Sequence, residues 1–251
     1  MIVLFDYDSM IYKATYKIVD IKTMKQWFYK SKSREWMQSE IVELSINRLC
    51  NMGDEIFTEI ENTGIEIESV EYYITAAKNS IRKKLVPTYK ANRRPNKWVN
   101  KVRKYLLEKN FAITSDVWEA DDLIYDRAKE LGNENCVILS IDKDLKQIPG
   151  VHFNYYRKKS KDESGNDKSE IVGLEIVSPK EAEYKFWFSM LVGDGSDNIK
   201  GCKGIGKVKA SKILIESNEL ENLVKETYEK TYKELWEIEF NLNYRLLKLG
   251  K

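Results

Sequence analysis

Two continuous apolar runs, each ended by an aspartate, constrain the fold of this chain most strongly. Residues 2–5 run into Asp6, and residues 136–141 run into Asp142. Strands that are apolar on both faces are typical of a parallel sheet covered by helices on both sides. We therefore expect both runs to be buried strands, with an aspartate at the carboxyl end of each.

Helical patterns alternate with these strands. The sequence predicts helices at about 39–62, 96–109 and 120–131, and two further strands at 71–75 and 151–156. This alternation predicts an α/β fold with a mostly parallel central sheet flanked by helices. The polar stretch 158–169 predicts an exposed hairpin loop, and everything after Pro179 reads as helical apart from a glycine-rich hairpin. We expect an α/β body over residues 1–177 and a helical subdomain over residues 178–251.

Acidic side chains follow the predicted strands or open the predicted helices in four places. They are Asp6 and Asp8; Glu119, Asp121 and Asp122; Asp142 and Asp144; and Asp194 and Asp197. Because the carboxyl ends of parallel strands meet at one sheet edge, these groups should converge and repel one another unless cations bind them. Oxygen ligands without His or Cys favour Mg²⁺ or Mn²⁺, and two such ions suit phosphodiester hydrolysis.

Each acidic cluster also fits a purely structural role. The acids at 119–122 suit a helix N-terminus, and those at 142 and 144 suit a capped turn. The occurrence of all four clusters in one chain favours the metal site.

Phosphate binding is indicated by two basic segments. Gly201, Gly204 and Gly206 precede a helix-forming run that carries Lys207 and Lys209, and a helix N-terminus with nearby lysines suits a phosphate, although an ordinary turn has the same composition. From residue 78 to residue 109, twelve Lys or Arg stand against one acid, interleaved with aromatic residues. This second segment suits a single-stranded nucleic acid whose bases stack on the aromatics.

Cysteines and hydropathy bound the setting. Three widely spaced cysteines without a CxxC motif argue against disulfides and zinc, and no stretch predicts a signal peptide or a membrane span. We expect a cytoplasmic protein.

Five motifs in this order resemble the flap endonuclease and 5′-3′ exonuclease superfamily, which includes the nuclease domain of bacterial DNA polymerase I and standalone phage enzymes. The motifs are FDYDSMIYKA at residues 5–14, YKANRRP at 89–95, WEADD at 118–122, SIDKDLKQI at 140–148 and GDGSDNIKGCKGIG at 193–206. The resemblance covers nearly the whole chain and is to the standalone, phage-like type, which implies a bacterial cell or a phage-infected host as the setting. It implies a PIN-like fold with a helical arch at about residues 79–109.

The resemblance also implies residue roles. Asp6, Glu119 and Asp121 match a first metal group with Asp122 beside them, whereas Asp142, Asp144, Asp194 and Asp197 match a second. Lys90 and Arg93 match a basic pair at the base of the arch, which contacts the scissile phosphate. We expect DNA contacts at Tyr89, Arg94, Lys97 and Trp98, and at a helix-hairpin-helix element formed by the glycine hairpin, where relatives often bind K⁺.

One position departs from the family pattern. Thr75 stands where relatives have a metal-binding aspartate at the end of the strand before the arch. We expect a raised metal requirement, with Asp8 compensating directly or through water.

The implied function is a structure-selective, Mg²⁺-dependent 5′-nuclease that acts on branched or 5′-ended DNA, or on RNA annealed to DNA, in primer or flap removal. We expect a monomer that works beside a replication polymerase or a single-strand-binding protein. Two alternatives stay open: a branched-DNA-binding protein with weakened or lost nuclease activity, and a PIN-like ribonuclease.

Overall fold

The fold is built on a five-stranded sheet in a computed structural model that describes residues 1–18, 34–75, 80–94, 96–161, 166–215 and 219–250. The strands are β1 (Ile2–Asp6), β2 (Ser69–Tyr73), β3 (Cys136–Leu139), β4 (Gly150–Lys161) and β5 (Asp167–Val177). They lie in the order β2-β1-β3-β4-β5. The first four are mutually parallel, and β5 runs antiparallel to β4. The mostly parallel α/β fold class is thereby confirmed.

Helices cover the sheet and form the last third of the described chain. They are α1 (Tyr7–Ile18), α2 (Arg34–Glu61), α3 (Ile81–Leu85), α4 (Lys97–Glu108), α5 (Ala120–Leu131), α6 (Pro179–Val192), α7 (Lys207–Leu214), α8 (Leu220–Tyr232) and α9 (Trp236–Leu247). Short 3₁₀ helices occupy Lys143–Gln147 and Lys233–Leu235. Within the described ranges, none of these helices combines the length and the apolar character needed to cross a lipid bilayer.

The apolar runs are explained by two cores on opposite faces of the sheet. Along β1, Val3 and Phe5 pack into the core beneath α1, α2 and α4, whereas Leu4 packs into the core beneath α5. Since successive side chains of a strand point to opposite faces, a strand covered on both sides needs apolar residues throughout. A third core joins helices α6 to α9.

Two predicted segments differ from the structure. The polar stretch 158–169 is mostly strand, because β4 and β5 pair as far as Lys161 and Asp167, and residues 162–165 lie outside the described residues. In the predicted arch, α4 packs against the body through Val99, Val102 and Leu106. Only residues 80–94 are therefore left as described arch residues, while Asn79 and Pro95 lie outside the described residues.

Candidate metal and nucleic-acid site

The site begins at the carboxyl edge of β1 and β3. Asp6 ends β1, and its Oδ2 accepts hydrogen bonds from Ser140 Oγ at 2.7 Å and from Ser9 Oγ at 3.2 Å. Ser140 follows β3 and also accepts the backbone N–H of Asp142 at 2.8 Å. The parallel pairing of these two strands thus brings Asp6 and Asp142 to one edge, as their positions after apolar runs predict.

Asp6, Asp121 and Asp142, called here the first carboxylate group, repel one another. Burial, with repulsion from Asp8 and Asp142, raises the pKa of Asp6 to about 7. Burial, followed by repulsion from Asp6 and Asp142, raises the pKa of Asp121 well above its usual range. Among the described residues, no Lys or Arg forms an ion pair with any of these three. The group therefore has no ion-pair partner among the described residues, and the nearby Lys90 only partly opposes the rise in the pKa of Asp121.

Glu119 is the N-cap of α5, and its negative charge is already paired with a basic side chain. A capping box joins it to Asp122, and its Oε2 accepts hydrogen bonds from Lys90 Nζ at 2.7 Å and from Tyr89 OH at 2.9 Å. Burial would raise the pKa of Glu119, but Lys90 and Arg82 hold it below its usual range. Glu119 is therefore bound to Lys90 as well as adjacent to the first carboxylate group.

Asp197 ties the segment 80–94 to the glycine-rich hairpin. Its carbonyl oxygen accepts the Lys90 N–H at 2.9 Å, and its carboxylate lies 3.6 Å from Lys90 Nζ and pairs with Arg93. Lys90 holds a positive φ of 55°. Strained backbone of this kind persists where the surroundings fix it. The two predicted basic residues, Lys90 and Arg93, thus lie at the carboxylates.

Asp144 and Asp194, called here the second carboxylate group, have lysine partners. Lys185 Nζ lies 3.0 Å from Asp144 Oδ1, and Lys143 Nζ lies 3.2 Å from Asp194 Oδ2. Burial and repulsion from Asp142 raise the pKa of Asp144 although Lys185 opposes this, whereas Ser196 and Lys143 outweigh burial at Asp194 and lower its pKa. Asp142 thus acts on both groups, and Asp197 faces Lys90 rather than Asp144.

The donor set fits a hard divalent cation. No cluster of three or more His, Cys, Asp or Glu within the described ranges is arranged to enclose an ion by itself. Mg²⁺ does not need such a cage, because it keeps several waters and binds one or two carboxylates together with substrate phosphate. Bringing a cation to the first carboxylate group would relieve the repulsion that raises the pKa of Asp6.

Two predicted metal ligands have protein partners in the structure. Asp122 is fully buried, and both its oxygens bind the Arg82 guanidinium, so it has no lone pair directed at the site. Asp8 accepts Arg103 Nε at 2.8 Å with one oxygen and the Thr75 N–H at 3.0 Å with the other. Asp8 thus holds the residue at position 75 and pairs with Arg103, and compensation by Asp8 for the carboxylate absent at Thr75 stays a prediction.

Three predicted DNA contacts are also corrected. Trp98 is 6% exposed and Tyr89 is 3% exposed, so neither ring presents a face on which a base can stack. Tyr89 instead donates to Glu119 and to Asp197, at 2.9 and 3.0 Å. Gly201 is buried against Gly193, where an added Cβ would lie 2.3 Å from the Gly193 nitrogen.

The other predicted DNA contacts lie at the surface. Arg94 and Lys97 are exposed beside the segment 80–94. In the hairpin, Gly206 is the N-cap of α7 and has open space around it. Gly204, Lys207 and Lys209 are exposed as well, and Lys209 Nζ donates to the Gly204 carbonyl oxygen at 3.1 Å.

Sequence reasoning missed three residues of the site. Ser140 holds Asp6, Arg82 holds Asp122, and Lys185 pairs with Asp144. Ser140 begins the motif SIDKDLKQI, and Arg82 lies in the basic segment 78–109. Neither position in the sequence indicates which acid the residue contacts. Lys185 carries no signal at all, because one lysine on an amphipathic helix is ordinarily a solvated side chain.

Thr75 has a structural contact in this site. Its Oγ1 accepts the Ala120 N–H at 3.0 Å, at the start of the helix that carries Asp121. The hydroxyl thus satisfies one of the free N–H groups of a helix N-terminus. Position 75 therefore lies beside Asp121 of the first carboxylate group.

Comparison with known proteins identifies the family of this chain. The model of the family described as 5′-3′ exonuclease, N-terminal resolvase-like domain, matches residues 1–173. A DNA polymerase I of Rhizobium leguminosarum is 29% identical over 197 residues, which are 74% of this chain and 19% of the relative. A 5′-3′ exonuclease of Buchnera aphidicola is 29% identical over 179 residues, which are 68% of this chain and 59% of the relative.

A solved structure shows the same fold. The flap endonuclease of bacteriophage T5, in a complex with DNA and metal ions, superposes with a TM-score of 0.55 at 13% identity, covering 98% of this chain and 88% of that one. The chain spans about a fifth of the polymerase and less than two thirds of the Buchnera exonuclease. With a family model matched over residues 1–173 of 251, the chain belongs to the 5′-3′ exonuclease family.

Proposed function

We propose that this protein is a structure-selective 5′-nuclease that hydrolyses phosphodiester bonds with divalent metal ions, Mg²⁺ or Mn²⁺. The observation that carries the proposal is that carboxylates and basic side chains lie next to each other at one edge of the sheet. The first carboxylate group, which has no ion-pair partner among the described residues, lies beside Lys90 and Arg93. Cations and a phosphate together complement such an arrangement.

The chain's own residues would divide the work. The first carboxylate group would hold one ion and the second carboxylate group another, with Asp142 between them. Bound there, the two ions would activate a water and offset charge on the attacking and leaving oxygens. Lys90 would turn its ammonium from Glu119 and Asp197 toward the scissile phosphate, and Arg93, which is half exposed, would steady the charge that develops on it.

DNA would reach the site along two exposed basic surfaces. The first consists of Arg94 and Lys97, near the 5′ single strand, and the second of Lys207 and Lys209 on the glycine hairpin, near the duplex. In the second surface the N-terminus of α7 would bind a backbone phosphate, with Gly204 and Gly206 allowing its close approach. A helix-hairpin-helix role for this element, with K⁺ on its main-chain oxygens, is part of the proposal.

The wider assignments rest on the same family membership. We propose flap or primer removal in replication, on DNA and on RNA annealed to DNA, by a monomer working beside a polymerase or a single-strand-binding protein. The boundary near residue 177 is proposed on the third core, which joins α6 to α9 and is distinct from the two sheet cores.

A cleavage map tests the function. End-labelled 5′-flap, nicked, RNA-primed and single-stranded RNA substrates are incubated with and without Mg²⁺. Metal-dependent cleavage near the flap junction is the expected result, and Asp142→Asn should keep flap binding while losing cleavage. Flap binding without cleavage at any Mg²⁺ or Mn²⁺ concentration would support a binding protein, and preference for single-stranded RNA would support a PIN-like ribonuclease.

A further inference from the structure

The two carboxylate groups differ in how the protein neutralises them. The first group forms no ion pair among the described residues, whereas Asp144 and Asp194 of the second group each face a lysine. Among the described residues, the carboxylates of the second group thus have lysine ion pairs, and those of the first group have none. This difference does not follow from the family assignment and concerns how the metal ions bind.

Lys185 is the better fixed of the two lysines. Its side chain is 22% exposed, and its Nζ lies 3.0 Å from Asp144 Oδ1 and 3.4 Å from Ser189 Oγ, one helical turn further along α6. The neighbouring residues Phe186 and Trp187 are buried in the third core, which holds this turn of α6 in place. Lys143, by contrast, is 66% exposed and can move into water.

We propose that Lys185 is a built-in cation of the second carboxylate group and makes that group bind divalent ions more weakly than the first. An entering ion must separate Asp144 from an ammonium that has little room to leave, and the two positive charges repel each other. At the first group an ion has no ion pair to break among the described residues, because Lys90 pairs with Glu119 and Asp197 instead. The proposal rests on the metal dependence in the proposed function and adds an order of occupancy: one ion binds first, and the second binds only at higher concentration.

Mn²⁺ binding to the DNA-free protein tests this directly. Isothermal titration calorimetry, with free Mn²⁺ counted by electron paramagnetic resonance, should show two steps at least about tenfold apart in affinity. Lys185→Met should tighten the second step about tenfold or more and leave the first within about twofold. Lys185→Arg keeps the charge and should keep the weak second step. Lys180→Met, an exposed lysine of the same helix, is the matched control and should behave as wild type.

Two equal Mn²⁺ sites in the wild type, or an unchanged second step in a folded Lys185→Met, would overturn the proposal. Thermal melting establishes folding, and Lys185→Gln serves in its place if the Met variant does not fold. The Mg²⁺ concentration for half-maximal flap cleavage should fall in Lys185→Met. Two-step binding without cleavage by the wild type would contradict the nuclease function alone, whereas cleavage with two equal sites would contradict only the role of Lys185.

Discussion

Arg82 binds both carboxylate oxygens of Asp122, at 2.6 and 2.7 Å, within a site closed to water. Asp122 also accepts the N–H groups of Glu119 and Gly250, and Arg82 donates to the carbonyl oxygen of Leu246. The pair thus joins α3, the N-terminus of α5 and the end of the described chain. It holds the turn that carries Glu119 and Asp121.

Breaking this pair should destabilise the protein strongly. Removing one partner of a buried ion pair costs about 3–5 kcal/mol, because the other charge is left buried alone. Urea unfolding of Arg82→Met should show a loss of this size, and Arg82→Met with Asp122→Leu should lose less than the two single variants added together. Lys104→Met, which removes a surface pair with Glu108, should change little, and an equal loss in both lysine and arginine variants would contradict the prediction.

The stability of the metal-free protein should fall as pH rises. Folding raises the pKa of Asp6 to about 7, so between about pH 4 and pH 7 the folded protein binds more protons at Asp6 than the unfolded chain does. The stability that this proton supplies is complete below about pH 4 and is lost as pH rises through about 7.

Thermal melting in EDTA from pH 5 to pH 8 measures this dependence. Asp6→Asn should flatten it and should melt higher than the wild type at pH 8, while the addition of Mn²⁺ at pH 8 should stabilise only the wild type. A wild-type melting temperature that rises from pH 5 to pH 8 in EDTA would rule out this account of Asp6.

Lys90 should matter more for the cleavage rate than for binding. Its ammonium is held at 2.7 Å from Glu119, next to the first carboxylate group, where a phosphate would lie. Loss of one such positioned charge costs about 10²–10³ in rate. Single-turnover cleavage by Lys90→Met should fall by this factor, with flap affinity in Ca²⁺ unchanged within a few-fold. Lys104→Met should cleave like the wild type, and a Lys90→Met rate within threefold of it would refute the role.

A carboxylate at position 75 should lower the metal requirement. Thr75 borders the first carboxylate group, and an aspartate there could keep the hydrogen bond to the Ala120 N–H while adding a metal-binding oxygen. The Mg²⁺ concentration for half-maximal cleavage should therefore be lower for Thr75→Asp than for the wild type, whereas Thr75→Asn, which adds no charge, should not show this gain. No difference between Thr75→Asp and the wild type at limiting metal would count against the hypothesis.

Two glycines of the hairpin should separate folding from DNA binding. Gly201 has a φ of 62° and lies against Gly193, so Gly201→Ala should cost at least about 2 kcal/mol of unfolding free energy. Gly206 has open space around it, and Gly206→Ala should cost less than about 1 kcal/mol while weakening duplex binding, measured by fluorescence anisotropy. Equal losses of unfolding free energy in the two variants would show that the space around each glycine does not decide whether an alanine is tolerated there.

Much of the fold was readable from local patterns. The helix at Ala120–Leu131 was predicted to the residue, and the starts of four strands were predicted within two positions, because period and apolar content are local properties. Strand β5 and helix α1 were missed. The first pairs only with β4 on the sheet edge, and the second begins directly after β1 without a separating turn, so neither has a clear boundary signal in the sequence.

The sequence by itself determined the parallel sheet and the meeting of Asp6 and Asp142 at its edge, because an apolar run with an aspartate at its end specifies both burial and the end of a strand. Only the tertiary structure decided which of the acidic side chains form ion pairs with Lys or Arg. Asp122 and Arg82 lie 40 residues apart in the chain, and Asp144 and Lys185 lie 41 apart. Ion pairing depends on distances between packed elements, which no local pattern encodes. Asp121 and Asp122 are therefore neighbours in sequence, yet Asp121 lies among the carboxylates of the site while Asp122 pairs with Arg82.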